Sequence, residues 1–184
     1  PDDRVALARA LVDVGVQSLQ VTWSNFTDPD ALGREVKLLR SHGTPLEIAV
    51  EGAGAREHLD IAAKAGVDLV QLTTPSVPAL NYFYGPIGRQ IRRAAWAGED
   101  WRAAVKVPTT VPEQIEYVTE LVKYGRGLGM RVSAGINMLA YATQEYLEAY
   151  IPAVAEAGAT DLGLYDGSSG MGPEAWRYVV SQAR

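Results

Sequence analysis

Six polar residues in this chain close short β-rich runs: Gln20, Thr22, Glu51, Thr73, Asn137 and Asp166. Glu51 and Asp166 are carboxylates able to exchange a proton with a reacting atom as a general acid–base pair. Gln20, Thr22, Thr73 and Asn137 carry the amides and hydroxyls that hold a small oxygen-rich substrate. Asp166 also opens the glycine-rich run Asp166-Gly167-Ser168-Ser169-Gly170-Met171-Gly172-Pro173. Backbone N–H groups ahead of a helix could take a phosphate or carboxylate there, with Ser168 contributing its hydroxyl. Plain capping by Ser168 or Ser169 accounts for the same run, which matches neither a P-loop nor a dinucleotide fingerprint. A serine nucleophile would need a histidine base. The two histidines lie elsewhere, His42 at a helix C-terminus and His58 inside a helix. There is no cysteine, so thiolate ligands and cysteine nucleophiles are excluded.

The elements that must position these residues are marked by glycines. Five helical stretches run into Gly15, Gly43, Gly66, Gly129 and Gly158, and a β-rich run follows each. A glycine after a helix supplies the left-handed residue that ends it. Alternation of helices and strands means βαβ units and a parallel sheet. The spacings are 28, 23, 63 and 29 residues, so three match one β/α unit and the fourth holds a unit plus an insertion. Strands are expected at about 18–23, 46–51, 68–74, 131–136 and 161–165. Helices are expected at about 2–14, 28–41, 56–65, 111–128 and 144–156, with a last one from Pro173. The stretch 75–110 is punctuated by Pro75, Pro78, Pro86 and Pro108 and holds a short basic helix at 88–97 with Arg89, Arg92 and Arg93. It is longer than ordinary β/α connections, which points to a lid or an interaction surface.

Strand side chains alternate. In the second run Leu46, Ile48 and Val50 oppose Glu47, Ala49 and Glu51, and in the fourth Val132, Ala134 and Ile136 oppose Arg131, Ser133, Gly135 and Asn137. A doubly wound sheet is covered on both faces and should be apolar on both. One apolar and one polar face fit a barrel, with helices outside and polar side chains towards the axis. Polar residues at the C-terminal strand ends of such a barrel read as a site. Glu47 and Arg131, nearer the strand starts, read as an internal pair. The fold class is α/β, a TIM (β/α)8 barrel with about five of its units present. An open doubly wound sheet binding a nucleotide is the other architecture, and the missing glycine fingerprint after the first strand counts against it.

The 184 residues are 47% hydrophobic with a net charge of −5 and a pI near 5.1. One domain over 1–184 with an insertion at about 75–110 is expected. The acidic balance disfavours a nucleic-acid or anionic-membrane partner. No apolar run reaches the roughly 18 residues of a membrane span, and the cytoplasm is the expected compartment. A full barrel needs about 250 residues, so the chain reads as an excerpt whose edge strands need a second copy or a partner chain.

Three segments carry a family resemblance. Ala8–Thr22, with Leu11, Gly15, Val16 and Val21, resembles the "L-x-x-x-G-V-x-x-I-E-V" opening of the HMG-CoA lyase-like enzymes, the superfamily that includes the pyruvate carboxyltransferase domains. Ala62–Val70 is similar to its "A-x-x-A-G-V-D-x-V" unit. Ala155–Asp166, with Pro173 seven residues on, resembles "A-G-A-x-x-I-x-L-x-D-T-x-G-x-x-x-P". The resemblance implies a TIM barrel that makes or breaks a C–C bond by aldol or Claisen chemistry on an α-keto or acyl substrate, acyl-CoA included. It also implies a divalent metal, Mg, Mn or Zn, as the Lewis acid for charge developing on oxygen. The Arg-Asp and His-x-His motifs that supply the family's metal ligands have no counterpart here, so no metal ligand is assigned. Gln20 stands where the family has Glu, and Gly167 where it has Thr. The expected roles are proton transfer for Asp166 and Glu51, and substrate binding for Gln20, Thr22, Thr73, Asn137 and Ser168. The alternative is a non-catalytic barrel-derived module that uses the 75–110 insertion to bind a protein.

Overall fold

A computed structural model describes residues 2–22, 29–41, 43, 47–51 and 54–183. All five helix-ending glycines adopt positive φ, from 65° at Gly43 to 96° at Gly158. Gly66 shows the geometry: its N–H donates back to the Ala63 carbonyl at 3.0 Å, closing the helix before it. The chain then alternates as expected through α1 (Asp2–Asp13), β1 (Ser18–Thr22), α2 (Pro29–Ser41), β2 (Glu47–Glu51), α3 (Arg56–Ala65) and β3 (Leu69–Pro75). After the insertion come α6 (Val111–Gly127), β4 (Arg131–Asn137), α7 (Gln144–Glu156), β5 (Asp161–Leu164) and α8 (Pro173–Gln182). The expected ends of two strands, Trp23 and Leu46, lie outside the described residues, as do Asp28 and His42.

All strands are parallel, in the order β1-β2-β3-β4-β5. Sequence neighbours are sheet neighbours throughout, so there is no strand-order reversal of the kind that makes a doubly wound crevice. Ile48, Val70, Leu72, Val132, Ala134 and Ile136 point into one core with Leu32, Leu59, Val118 and Tyr150 of the helices. The opposite face carries Ala49, Leu69, Thr73 and Ser133, and these are buried too, although that core lies on the other side of the sheet. A sheet that curls on itself buries such a face. Register agrees: Thr22, Glu51, Gln71, Ser133 and Asp161 form one row across all five strands. That row ends β1 and begins β5, the stagger that closure into a barrel demands.

The insertion is built rather than loose. A 3-10 turn at Pro78–Tyr82 leads into α4 (Gly85–Trp96) and the short α5 (Trp101–Ala104). Helix α4 begins three residues earlier than expected, because Pro86 in its first turn starts the helix instead of breaking it. Ile87, Ile91, Ala94 and Val105 form a satellite core against Trp101, Val107 and Tyr117. The charged base of the barrel also holds. Arg131 forks to both Asp161 oxygens at 2.9 and 2.8 Å and to Glu47, extending the expected pair to three strands.

Candidate functional site

The five strand tips lie at one end of the sheet, and β3, β4 and β5 are laced together there. Ser76 N–H donates to the Asn137 carbonyl at 2.8 Å, and its hydroxyl donates to the Met138 carbonyl at 2.7 Å. Leu139 N–H reaches the Tyr165 carbonyl at 3.1 Å. Met138 sits in the left-handed region at φ 58°, a conformation that costs a non-glycine residue about 1–2 kcal/mol. Asn137 Oδ1 stabilises this turn by accepting the Met138 N–H at 2.6 Å, so the amide NH2 is the group of Asn137 left to donate. Backbone strain of this kind at strand ends is typical of ligand sites.

Two polar groups on the axial face of β3 lack partners among the described residues. Thr73 is 5% exposed, and neither its Oγ1 nor the buried Oε1 of Gln71 has a hydrogen bond. A buried polar atom left unpaired costs roughly 1–3 kcal/mol, so these two invite an outside partner. Beside them the chain makes room. Gly135 and Gly163 are register partners on β4 and β5, and the Tyr165 ring folds back over both. A methyl group at Gly135 would come 2.8 Å from Tyr165 Cε2 and 3.3 Å from Thr73 Oγ1. One at Gly163 would come 2.6 Å from the same ring carbon and 2.9 Å from the phenol oxygen. Sequence reading placed Tyr165 at a strand end but gave it no role. The available signal was Gly135 and Gly163 on the polar face of neighbouring strands.

Asp166 turns inwards on its own loop. Its carboxylate accepts the Met171 N–H at 2.8 Å and the Ser168 hydroxyl at 2.8 Å. The Met171 N–H first, then the Ser168 hydroxyl and nearby amides, hold its pKa below the ordinary carboxylate value. A carboxylate stabilised as the anion is a weak base, so here Asp166 and Ser168 build the loop that passes over Asn137. Gly167 lets that loop approach: a methyl there would lie 2.5 Å from Asn137 Oδ1. Towards the other edge of the sheet, Gln20 pairs with Ala49, and Thr22 with Glu51, which pairs in turn with Gln71. The side chains of Thr22 and Glu51 lie outside the described residues. Gln20 lines a cleft of about 240 Å³ at the edge of β1, with Leu7, Leu11, Leu19, Val21 and Leu39. The structure therefore brings Thr73, Asn137, Tyr165 and the Asp166 loop together, and places Gln20 at the far edge.

His58 is 1% exposed and packs beneath the insertion. Its Nδ1 accepts the Gly54 N–H at 3.2 Å. Burial, reinforced by the charges of Arg93 and Arg89, lowers its pKa to about 4. The Gly54 carbonyl is gripped from two sides, by Gln90 Nε2 at 2.9 Å and by the Tyr117 hydroxyl.

Among the described residues no group of three His, Asp or Glu side chains converges, and both oxygens of Asp166 are engaged in its loop. The donors among the described residues do not fit a divalent cation. No helix of the described residues is long and apolar enough to cross a membrane.

No family model matches the chain. Homocitrate synthase of Sulfolobus acidocaldarius is 25% identical over 168 residues, which cover 90% of this chain and 31% of that protein. The chain thus spans about a third of the length of this curated relative. The N-terminal domain of a candidate aldolase from Bacteroides vulgatus superposes with a TM-score of 0.60 at 14% identity, over 99% of this chain and 54% of that one. Mandelate oxidase with (S)-2-phenylpropionate gives 0.58 at 16% identity, over 99% and 52%. The structural likenesses establish the fold: five consecutive units of a TIM-barrel type. A fold shared by a candidate aldolase and an oxidase does not select a reaction.

Proposed function

We propose that these units belong to an enzyme of the HMG-CoA lyase-like kind that makes or breaks a C–C bond next to a carbonyl. Its substrate would be a 2-oxo acid or an acyl group. The observation that carries this reading is the likeness to homocitrate synthase along 90% of the chain, over the units whose tips build the site. In this reading the Thr73 hydroxyl and the Asn137 amide donate to substrate oxygens. Asp166 and Ser168 hold the covering loop, Gln20 and Thr22 line the opposite wall, and Glu51 moves the proton next to the carbonyl. The family's divalent cation would take its ligands from strands outside these five, and no step is drawn through it.

Proton removal next to the carbonyl is common to aldol and Claisen chemistry, so it makes a direct test. The chain is incubated with pyruvate in D2O, and loss of the methyl signal is followed by proton NMR. Exchange above the buffer rate is expected, with Glu51→Gln lowering it by about 10²-fold or more. Exchange at the buffer rate would count against Glu51 as the base and against proton removal by these five units on their own. The second reading, a non-catalytic module binding a protein through the insertion, is favoured by Trp96 and Phe83, 86% and 70% exposed.

A further inference from the structure

Helices α2 and α3 pack side by side, with Leu32, Val36, Leu39, Leu59 and Ala62 turned into the core. On the side away from the core they frame a cleft of about 370 Å³, within the size range of small-molecule sites. Asp30, Gly33, Arg34 and Lys37 of α2 line one wall, at the helical spacing that puts them on one face. Ile61, Lys64 and Ala65 of α3 line the other. The floor is apolar, and Gly33 keeps it open. Glycine weakens a helix interior relative to alanine, yet nothing in the backbone requires it here. Its φ is not positive, and a methyl group would meet no atom within 4 Å. Cations dominate the rim. Asp30 and Arg34 are already engaged. Lys37 and Lys64 are exposed and have neither hydrogen bond nor ion pair among the described residues. Two unpaired ammoniums at one cleft favour an anion between them, in a chain whose net charge is −5.

We propose that the cleft between α2 and α3 binds a small carboxylic acid with a short hydrocarbon body. Lys37 and Lys64 take its two oxygens, and its chain lies over Gly33, Ile61 and Ala65. A single carboxylate offers one oxygen to each ammonium, while the apolar floor holds the rest of the molecule out of water. None of these residues is shared with the strand tips, so binding here is independent of the reaction proposed above.

Calorimetric titration of the full chain with octanoate tests the site, with octanol and inorganic phosphate as controls that each keep one half of the ligand. Saturable binding of one octanoate per chain is expected, with a dissociation constant of about 1 mM or below. Octanol and phosphate should bind about fivefold more weakly or worse. Lys37→Gln combined with Lys64→Gln should cost octanoate about fivefold or more and leave octanol unchanged. Gly33→Leu fills the floor and should abolish octanoate binding. Leucine is a better helix former than glycine, so a urea midpoint at or above that of the wild type separates a filled cleft from a lost fold. Should this variant unfold, the lysine pair decides alone. Octanoate binding that survives either change in a folded chain would overturn the cleft as the site, as would a wild-type chain that shows no saturable binding.

Discussion

At Gly163 a single methyl group would meet the Tyr165 ring at 2.6 Å. Overpacking of this kind costs about 1–3 kcal/mol, so Gly163→Ala is expected to lower the urea midpoint. Adding Tyr165→Ala should recover much of the loss, a coupling that a double-mutant cycle measures directly. His58 gives a pH signature. Its folded pKa, about 4, lies below the ordinary 6.5, so between these values the unfolded chain binds a proton that the folded chain refuses. Stability should therefore fall as pH drops from 6.5 to 4, by on the order of 2–3 kcal/mol. Urea melts across that range check it, and His58→Asn should flatten the slope. The sequence showed Thr73, Asn137 and Asp166 as strand-end polar groups because alternation is local. It could not show that Asp166 spends its oxygens on Ser168 and Met171, or that Tyr165 reaches Gly135. The latter depends on the register between β4 and β5, which no local pattern encodes.

The insertion is fastened to the barrel through Gln114, which is fully buried on α6. Its Nε2 donates to the Pro75 carbonyl and to Tyr146 Oη at 3.1 Å, and its Oε1 accepts from Asn81 Nδ2 at 2.7 Å. Gln114→Leu would leave the Asn81 amide and the Pro75 carbonyl short of partners. A loss of roughly 1–3 kcal/mol is expected, read as a lower thermal midpoint with helix content unchanged. Helix α6 itself was legible, since Thr110 and Glu113 form a reciprocal capping box. Helix α5 was not: its four residues are too few for a period, and Asp100 caps it from a loop. The insertion is docked on the barrel at Gly54, where Gln90, Tyr117 and Pro86 all close.

In the whole molecule, β1 and β5 bound the sheet, and a strand at a sheet edge offers backbone groups to another chain. Sedimentation of the purified chain is expected to give a dimer or larger species, and a monomer at high concentration would contradict that expectation. The barrel class was legible from the one-sided polarity of the strands, while its stagger waited for the pairing itself. The ion cluster of Arg131 with Glu47 and Asp161 ties β2, β4 and β5 together at their starting ends. The sheet thus resembles a fan riveted at the handle, three of its five ribs held by a single pin.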